Sequence, residues 1–144
     1  MKVLFDTSVM VAAIVQAHPG HVRALPWLAG AKSGEHECLI SSHSLMELYA
    51  VLTSLPLHPR ISPDLAHRLI LENIGSAIEV VELSATDYRS VLDGVKALGL
   101  TGGIVYDALI AFAARKAKVD RLLTLNVSDF KRVWPEGADR IIAP

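Results

Sequence analysis

Four carboxylates in this 144-residue chain stand where acid chemistry could be done: Asp6, Glu47, Asp107 and Asp129. Asp107 is the hardest to explain structurally. It interrupts Ile104-Val-Tyr-Asp-Ala-Leu-Ile-Ala-Phe-Ala-Ala114, a run of good helix formers that is apolar almost all round and reads as a largely buried helix. Counting from Gly102-Gly103, it lies more than a turn inside that helix, too deep to be an N-cap. A carboxylate in such a setting takes up a proton unless a partner or a cation is supplied. The other acids have simpler explanations when taken singly. Asp6 suits the N-cap of a helix beginning near Thr7, and Ser44-Leu-Met-Glu47 matches a capping box. Ser128 and Asp129 would cap a turn at Phe130 to Val133, and Asn126 is a common turn residue. Taken together they point elsewhere. Two carboxylates about 5 Å apart repel by roughly 3 kcal/mol at an effective dielectric of 20, so several in one cleft need protons or a bridging cation. A hard divalent ion held by oxygens, Mg²⁺ or Mn²⁺, fits such a site and suits phosphodiester hydrolysis.

Those residues must be brought together by the elements around them. Val3-Leu4-Phe5 reads as a buried strand, Asp6 to Ser8 as a turn, and the following residues as a helix to about Gln16. A second helix is expected from His21 to Lys32, with Pro26 against its regularity, then a strand at Cys38 to Ile40 and a helix from Leu45 to Leu55. Ser62-Pro63 opens a helix to about Asn73. Ile78 to Leu83 is strand-like, and Ser84-Ala-Thr-Asp87 starts a helix whose apolar stripe is Tyr88, Val91, Leu92, Val95 and Leu98. After the Asp107 helix come a strand at Arg121 to Leu125 and a last short one at Ile141-Ile142. Strands alternating with helices throughout predict a parallel sheet covered on both faces. In such sheets, ligands bind beyond the carboxyl ends of the strands, which is where Asp6, Glu47, Asp107, Asn126 and Asp129 fall.

Composition sets the bounds. A single domain spanning residues 1–144 is expected, and 51% hydrophobic residues with a mean hydropathy of +0.38 suit a two-sided core and a homodimer interface. No apolar run approaches the roughly 20 residues of a spanning helix, and Met1-Lys2 leads into strand-like residues, so neither membrane association nor a signal peptide is expected. Cys38 is the only cysteine, which excludes an internal disulfide and fits a cytoplasmic protein. The net charge of −1 argues neither for nor against nucleic acid. Locally, Arg115, Lys116, Lys118, Arg121, Lys131 and Arg132 face only Asp120 and Asp129, either as solvated helix ends or as a phosphate-binding patch. The six histidines show no zinc spacing.

Asp6-Thr-Ser8 after an opening strand, a helical Glu47, Asp107-Ala-Leu-Ile-Ala-Phe-Ala-Ala and Leu123-Thr-Leu-Asn-Val-Ser-Asp-Phe130 resemble, in order and over nearly the whole chain, the PIN-domain ribonucleases. Among them the likeness is to the VapC-type toxins of prokaryotic toxin–antitoxin pairs. The resemblance implies an α/β fold, a three-layer α/β/α sandwich with a mainly parallel central sheet. It also implies Mg²⁺- or Mn²⁺-dependent endoribonuclease activity on RNA, and inhibition by a cognate antitoxin protein whose C-terminal segment lies across the groove. Carried over by position, Asp6, Glu47 and Asp107 match the acidic ligands, with Thr7, Ser8, Thr124 and Asn126 as supporting candidates. At the fourth acid the pattern departs: Asn126 stands where the family often carries Asp, and Asp129 follows three residues later. Either Asp129 completes the catalytic, metal-binding set, or the fourth carboxylate is missing and a second metal is held less well. Two other readings compete. One is a catalytically weak PIN-like assembly module. The other is a haloacid-dehalogenase-like phosphatase, which wants a second Asp where this chain has Ser8.

Overall fold

Period-two alternation in the first strand sets the architecture. In the computed structural model, which describes residues 1–144, Val3 and Phe5 enter one apolar cluster and Leu4 the other, one on each face of the sheet. The neighbouring strands repeat the pattern: Cys38 and Ile40 lie with Val3, whereas Leu39 lies with Leu4. The two clusters hold 19 and 16 buried residues, so the sheet is closed almost equally on both sides.

The strands are β1 (Lys2–Phe5), β2 (Glu37–Ser41), β3 (Ile78–Val81), β4 (Arg121–Leu123) and β5 (Ile141–Ile142). They form one sheet in the order β3-β2-β1-β4-β5, and every pairing is parallel. Register places Leu4 opposite Leu39 on one side and Leu122 on the other. Helices α1 (Thr7–Ile14), α2 (His21–Ser33), α3 (Ser42–Ser54) and α4 (Pro63–Ile74) contribute to the first cluster. Helices α5 (Ala85–Ala97), α6 (Ile104–Lys116) and α7 (Val127–Val133) contribute to the second. A 3₁₀ segment, Pro135–Arg140, leads into β5. This is the three-layer α/β/α sandwich expected from the resemblance, with a wholly parallel sheet. No helix is long and apolar enough to cross a membrane.

Several boundaries differ from the sequence reading, each for a local reason. Helix α3 begins at Ser42, three residues before Leu45, because Ser41 and not Ser44 is the cap: its Oγ accepts the Ser44 N–H at 3.2 Å. The Ser44–Glu47 capping box therefore does not form. Helix α1 ends at Ile14, short of Gln16, as Val15 turns to an extended backbone. Helix α7 starts at Val127 with Asn126 in the cap position, so Ser128 and Asp129 lie inside its first turn and do not cap a later one. Strand β4 stops at Leu123, because Thr124 and Leu125 already belong to the loop. On α5, only Val91 of the apolar stripe is buried, Val95 packs partly, and Tyr88, Leu92 and Leu98 remain exposed. Pro26 does sit inside α2; it cannot bond the carbonyl of Val22, a residue that faces solvent at 82% exposure. Ser62 with Pro63, and the Ser84–Asp87 capping box, form as read.

Two glycines make opposite predictions. A Cβ at Gly137 would overlap the indole of Trp134, itself buried against β5 and α7, whereas one at exposed Gly94 in α5 would meet nothing within 4 Å. Gly137→Ala is expected to destabilise the protein by about 1–3 kcal/mol through overpacking. Gly94→Ala is expected to stabilise it by about 0.5–1 kcal/mol through helix propensity. Urea melts of the two variants, read by far-UV circular dichroism, check both signs.

Candidate active site

The strand order reverses between β1 and β4, and the crevice opened there at the carboxyl ends of the strands receives Asp6. Asp6 occupies the N-cap position of α1, with an extended backbone, but its side chain does not cap the helix. It is 3% exposed, and its Oδ2 accepts hydrogen bonds from Ser8 Oγ at 2.6 Å and Thr124 Oγ1 at 2.8 Å. Each hydroxyl also accepts a backbone N–H of the loop after β4: Leu125 to Ser8 at 3.1 Å, and Asn126 to Thr124 at 2.9 Å. One carboxylate thus ties the end of β1 to the end of β4. Burial raises its pKa; the Ser8 and Thr124 bonds oppose that rise, and Glu47 adds to it. Beside it, the buried Thr7 Oγ1 has no hydrogen-bond partner.

Three helices complete the cleft, a volume of about 270 Å³ lined by Asp6, Thr7, Ser8, His18, Glu47, Asp107 and Asn126, with Val11, Val51 and Leu55 as its apolar wall. Asp107 lies in the first turn of α6 and not more than a turn inside it as read from the sequence, because the helix begins only at Ile104. Four residues after Gly103 in the cap position, it enjoys the positive helix end without serving as the cap. Its carboxyl is pushed up to about 7, first by burial and then by repulsion from Asp6, Asp129 and Glu47. Glu47, on the second turn of α3, is about one-third exposed, and its Oε2 lies 3.1 Å from Nε2 of His43 one turn earlier. Asp6, Glu47 and Asp107 therefore meet in one cleft. No three acids, histidines or cysteines stand at the spacing of a preassembled metal cage, so the acids share a crevice without forming a closed ligand set.

The fourth position divides between two residues. Asn126 lines the cleft; Asp129 is close enough to raise the pKa of Asp107, yet its side chain is half-exposed and lies 3.5 Å from Arg132. Asp129 sits at the rim. Thr124 is fully buried and acts through Asp6. The basic cluster does not gather at the cleft. Arg115, Lys116, Lys118 and Arg121 lie between the end of α6 and the start of β4, at the opposite end of the sheet. There Arg115 pairs with Glu136, and Lys116 with Asp87.

Three residues at or beside the cleft gave no sequence signal strong enough to single them out. His43 could have been found from its i, i+4 spacing to Glu47. His18 follows α1 and reaches the cleft only through the fold. Its Nδ1 accepts the Gly20 N–H at 2.9 Å, which leaves Nε2 as the protonated, donating nitrogen of the neutral ring. Tyr106, next to Asp107, stacks in parallel on His43.

Known proteins share this chain's family and fold. The model of the PIN domain family matches residues 3–133. Ribonuclease VapC40 of Mycobacterium tuberculosis is 37% identical over 122 residues, covering 85% of this chain and 84% of that protein. Ribonuclease VapC27 of the same organism is 33% identical over 115 residues, 80% of this chain and 78% of its own. Among solved structures, the same fold occurs in VapBC2 from Rickettsia felis bound to a promoter DNA fragment. It has 24% identity and a TM-score of 0.66, covering 100% of this chain and 98% of that one. It occurs also in DNA-bound VapBC from Salmonella typhimurium, with 22% identity and a TM-score of 0.64 over 99% and 98% of the two chains.

The raised pKa of Asp107 has a definite sign in stability. Its unfolded value is near 3.8 and its folded value about 7, so the folded protein binds the extra proton between them. The metal-free protein is expected to lose stability as pH rises from about 4 to 7, and to lose no more from this group above that. Thermal melts in EDTA across this range should show the decline, and Asp107→Asn should make it shallower, since the raised pKa of Asp6 acts in the same direction. Mn²⁺ should raise the melting temperature of the wild type more at pH 8 than at pH 5.5.

Proposed function

The chain belongs to the PIN-domain family, and from that premise we propose that it is a divalent-metal-dependent endoribonuclease, the toxin of a toxin–antitoxin pair. The observation that carries this reading is the convergence of Asp6, Glu47 and Asp107 on one cleft at the reversal point of the sheet. The VapC ribonucleases to which the chain is more than 30% identical support the same reaction class. The donors fit a small hard cation. They are oxygens only, burial and then their mutual repulsion push the Asp107 carboxyl up to about 7, and Thr7 leaves a buried hydroxyl without a partner beside them. Mg²⁺ uses one or two carboxylates and keeps water in its remaining positions, which suits acids that share a crevice without forming a cage.

Asp6, Glu47 and Asp107 would hold the ion, which when bound offsets their mutual repulsion, activates water and neutralises charge on the scissile phosphate. Asp6 is fixed before any ligand arrives, because Ser8 and Thr124 hold one of its oxygens. His43 steadies Glu47 through Nε2, and His18 can direct its Nε2–H to a phosphate oxygen. The Asn126 side chain, at the cleft, can orient a water; Asp129, at the rim, adds negative charge that acts on Asp107. Val11, Val51 and Leu55 exclude bulk water from one side and strengthen each of these interactions. Hydrolysis then adds one water across a P–O bond, leaving one phosphate-ended and one hydroxyl-ended fragment.

The same proposal includes a small antitoxin protein lying over the cleft. It also includes a homodimer, for which α5 offers exposed Tyr88, Leu92 and Leu98. Purified antitoxin-free protein is expected to cleave RNA with Mg²⁺ or Mn²⁺ and to stop when EDTA is added. Asp6→Asn and Asp107→Asn should each lower the rate at least about a hundredfold, since even the outer partners of metal ligands commonly matter 10–100-fold. Asp129→Asn should cost less than about tenfold. A wild-type protein that cleaves no RNA under these conditions overturns the reading.

A further inference from the structure

We propose that the free face of Tyr106 is a stacking site for one nucleobase of single-stranded RNA, beside the scissile phosphate. The inference rests on the ribonuclease reading and adds to it a contact with the base. Tyr106 lies on the first turn of α6, immediately before Asp107, and is 51% exposed. Its ring is parallel to that of His43 within 3°, with centroids 5.3 Å apart, an offset-stacked pair. The imidazole beneath it is well covered, its side chain 19% exposed, and Nε2 lies 3.1 Å from Glu47 Oε2. The plane of Tyr106 is therefore set by a ring that is itself anchored to an acid of the cleft. One face rests on His43 and the other is open.

The chemistry of this arrangement selects the ligand. An aromatic face held in a fixed plane, one residue from an acid of the hydrolytic cleft, matches the π face of an unpaired base whose phosphate lies at that acid. Because the anchored His43 ring already fixes the direction of Tyr106, little conformational freedom is lost when the base arrives. The contact accepts any base, since every base has a π face, and it places a base without adding charge. A duplex could not use it, because its bases are already stacked.

The test uses a single-stranded RNA oligonucleotide that the wild type cleaves in Mn²⁺, and a series from which one base at a time is removed around the cut. Tyr106→Ala is expected to raise KM about tenfold or more, the scale of one base–aromatic stack, with the loss falling on KM rather than kcat. Tyr106→Phe, which keeps the ring, should recover most of the lost affinity. One abasic position next to the cut should raise KM for the wild type by a similar factor and leave the Ala variant's KM unchanged. If the wild type cleaves but the two proteins respond alike to every abasic substrate, the stacking site is wrong and the nuclease reading stands. If Tyr106→Phe loses as much as Tyr106→Ala, the hydroxyl is what matters and the proposal also fails. A wild type that cleaves nothing removes both.

Discussion

The buried Asp6 carboxylate, shared by two hydroxyls from different parts of the chain, is the constraint on which the cleft depends. A hydroxyl has one proton to give, so when Ser8 and Thr124 each donate to Asp6 their oxygens are left to accept the Leu125 and Asn126 amides. By accepting both, Asp6 Oδ2 fixes the direction of the two hydroxyl dipoles and, through them, the path of the loop from β4 into α7. That loop carries Asn126 into the cleft and sets Asp129 on its rim. A protonated Asp6 would offer its oxygens less strongly, and the join between β1 and β4 beyond their last paired residues would slacken. The structure thus places an acid that burial pushes toward neutrality where two hydrogen bonds pull it toward charge.

The same competition is resolved differently at Asp107. It has no hydroxyl partner among the bonds that hold Asp6; burial and three neighbouring carboxylates act on it in one direction, and the positive end of α6 is the opposing influence. Burial raises the pKa of both acids; what differs is that two hydroxyls hold Asp6 in place while none of those bonds reaches Asp107. The apolar wall of Val11, Val51 and Leu55 strengthens the effect of burial by keeping the local dielectric low.

Much of this was written locally, and what was not has identifiable causes. The alternation in Val3-Leu4-Phe5, the punctuation by Ser62-Pro63 and the Ser84–Asp87 box depend on residues within a few positions of one another, and they form as read. The three acids also sit together as their places after strands and on helices implied. The cap of α3 was ambiguous because Ser41, Ser42 and Ser44 all offer a hydroxyl; Ser41 is chosen because it ends β2 with an extended backbone, whereas Ser42 and Ser44 already lie inside the helix. The stripe on α5 misled because periodicity marks an apolar face but does not say what covers it. His18 and Tyr106 were invisible for a stricter reason. Neither carries a capping or spacing signal of its own, and the contacts that give them meaning, with the acidic crevice and with His43, exist only once α1, α3 and α6 converge.

The charge distribution then constrains how a polyanion could be held at all. Four of the six clustered basic residues lie at the far end of the sheet, where Arg115 and Lys116 are engaged with Glu136 and Asp87, while the cleft gathers carboxylates. A nucleic acid approaching the acids gains little from long-range attraction to a chain of net charge −1. Affinity at such a site has to come from short-range contacts: a cation between acid and phosphate, the Nε2–H of His18, the amide of Asn126, and an aromatic face that does not depend on charge. Binding built this way should be less sensitive to monovalent salt than binding to a basic groove, because fewer counterions are released from the nucleic acid. It also makes an empty cleft self-repelling. On the proposed reading, a cation that completed the chemistry would therefore also make the anionic substrate welcome.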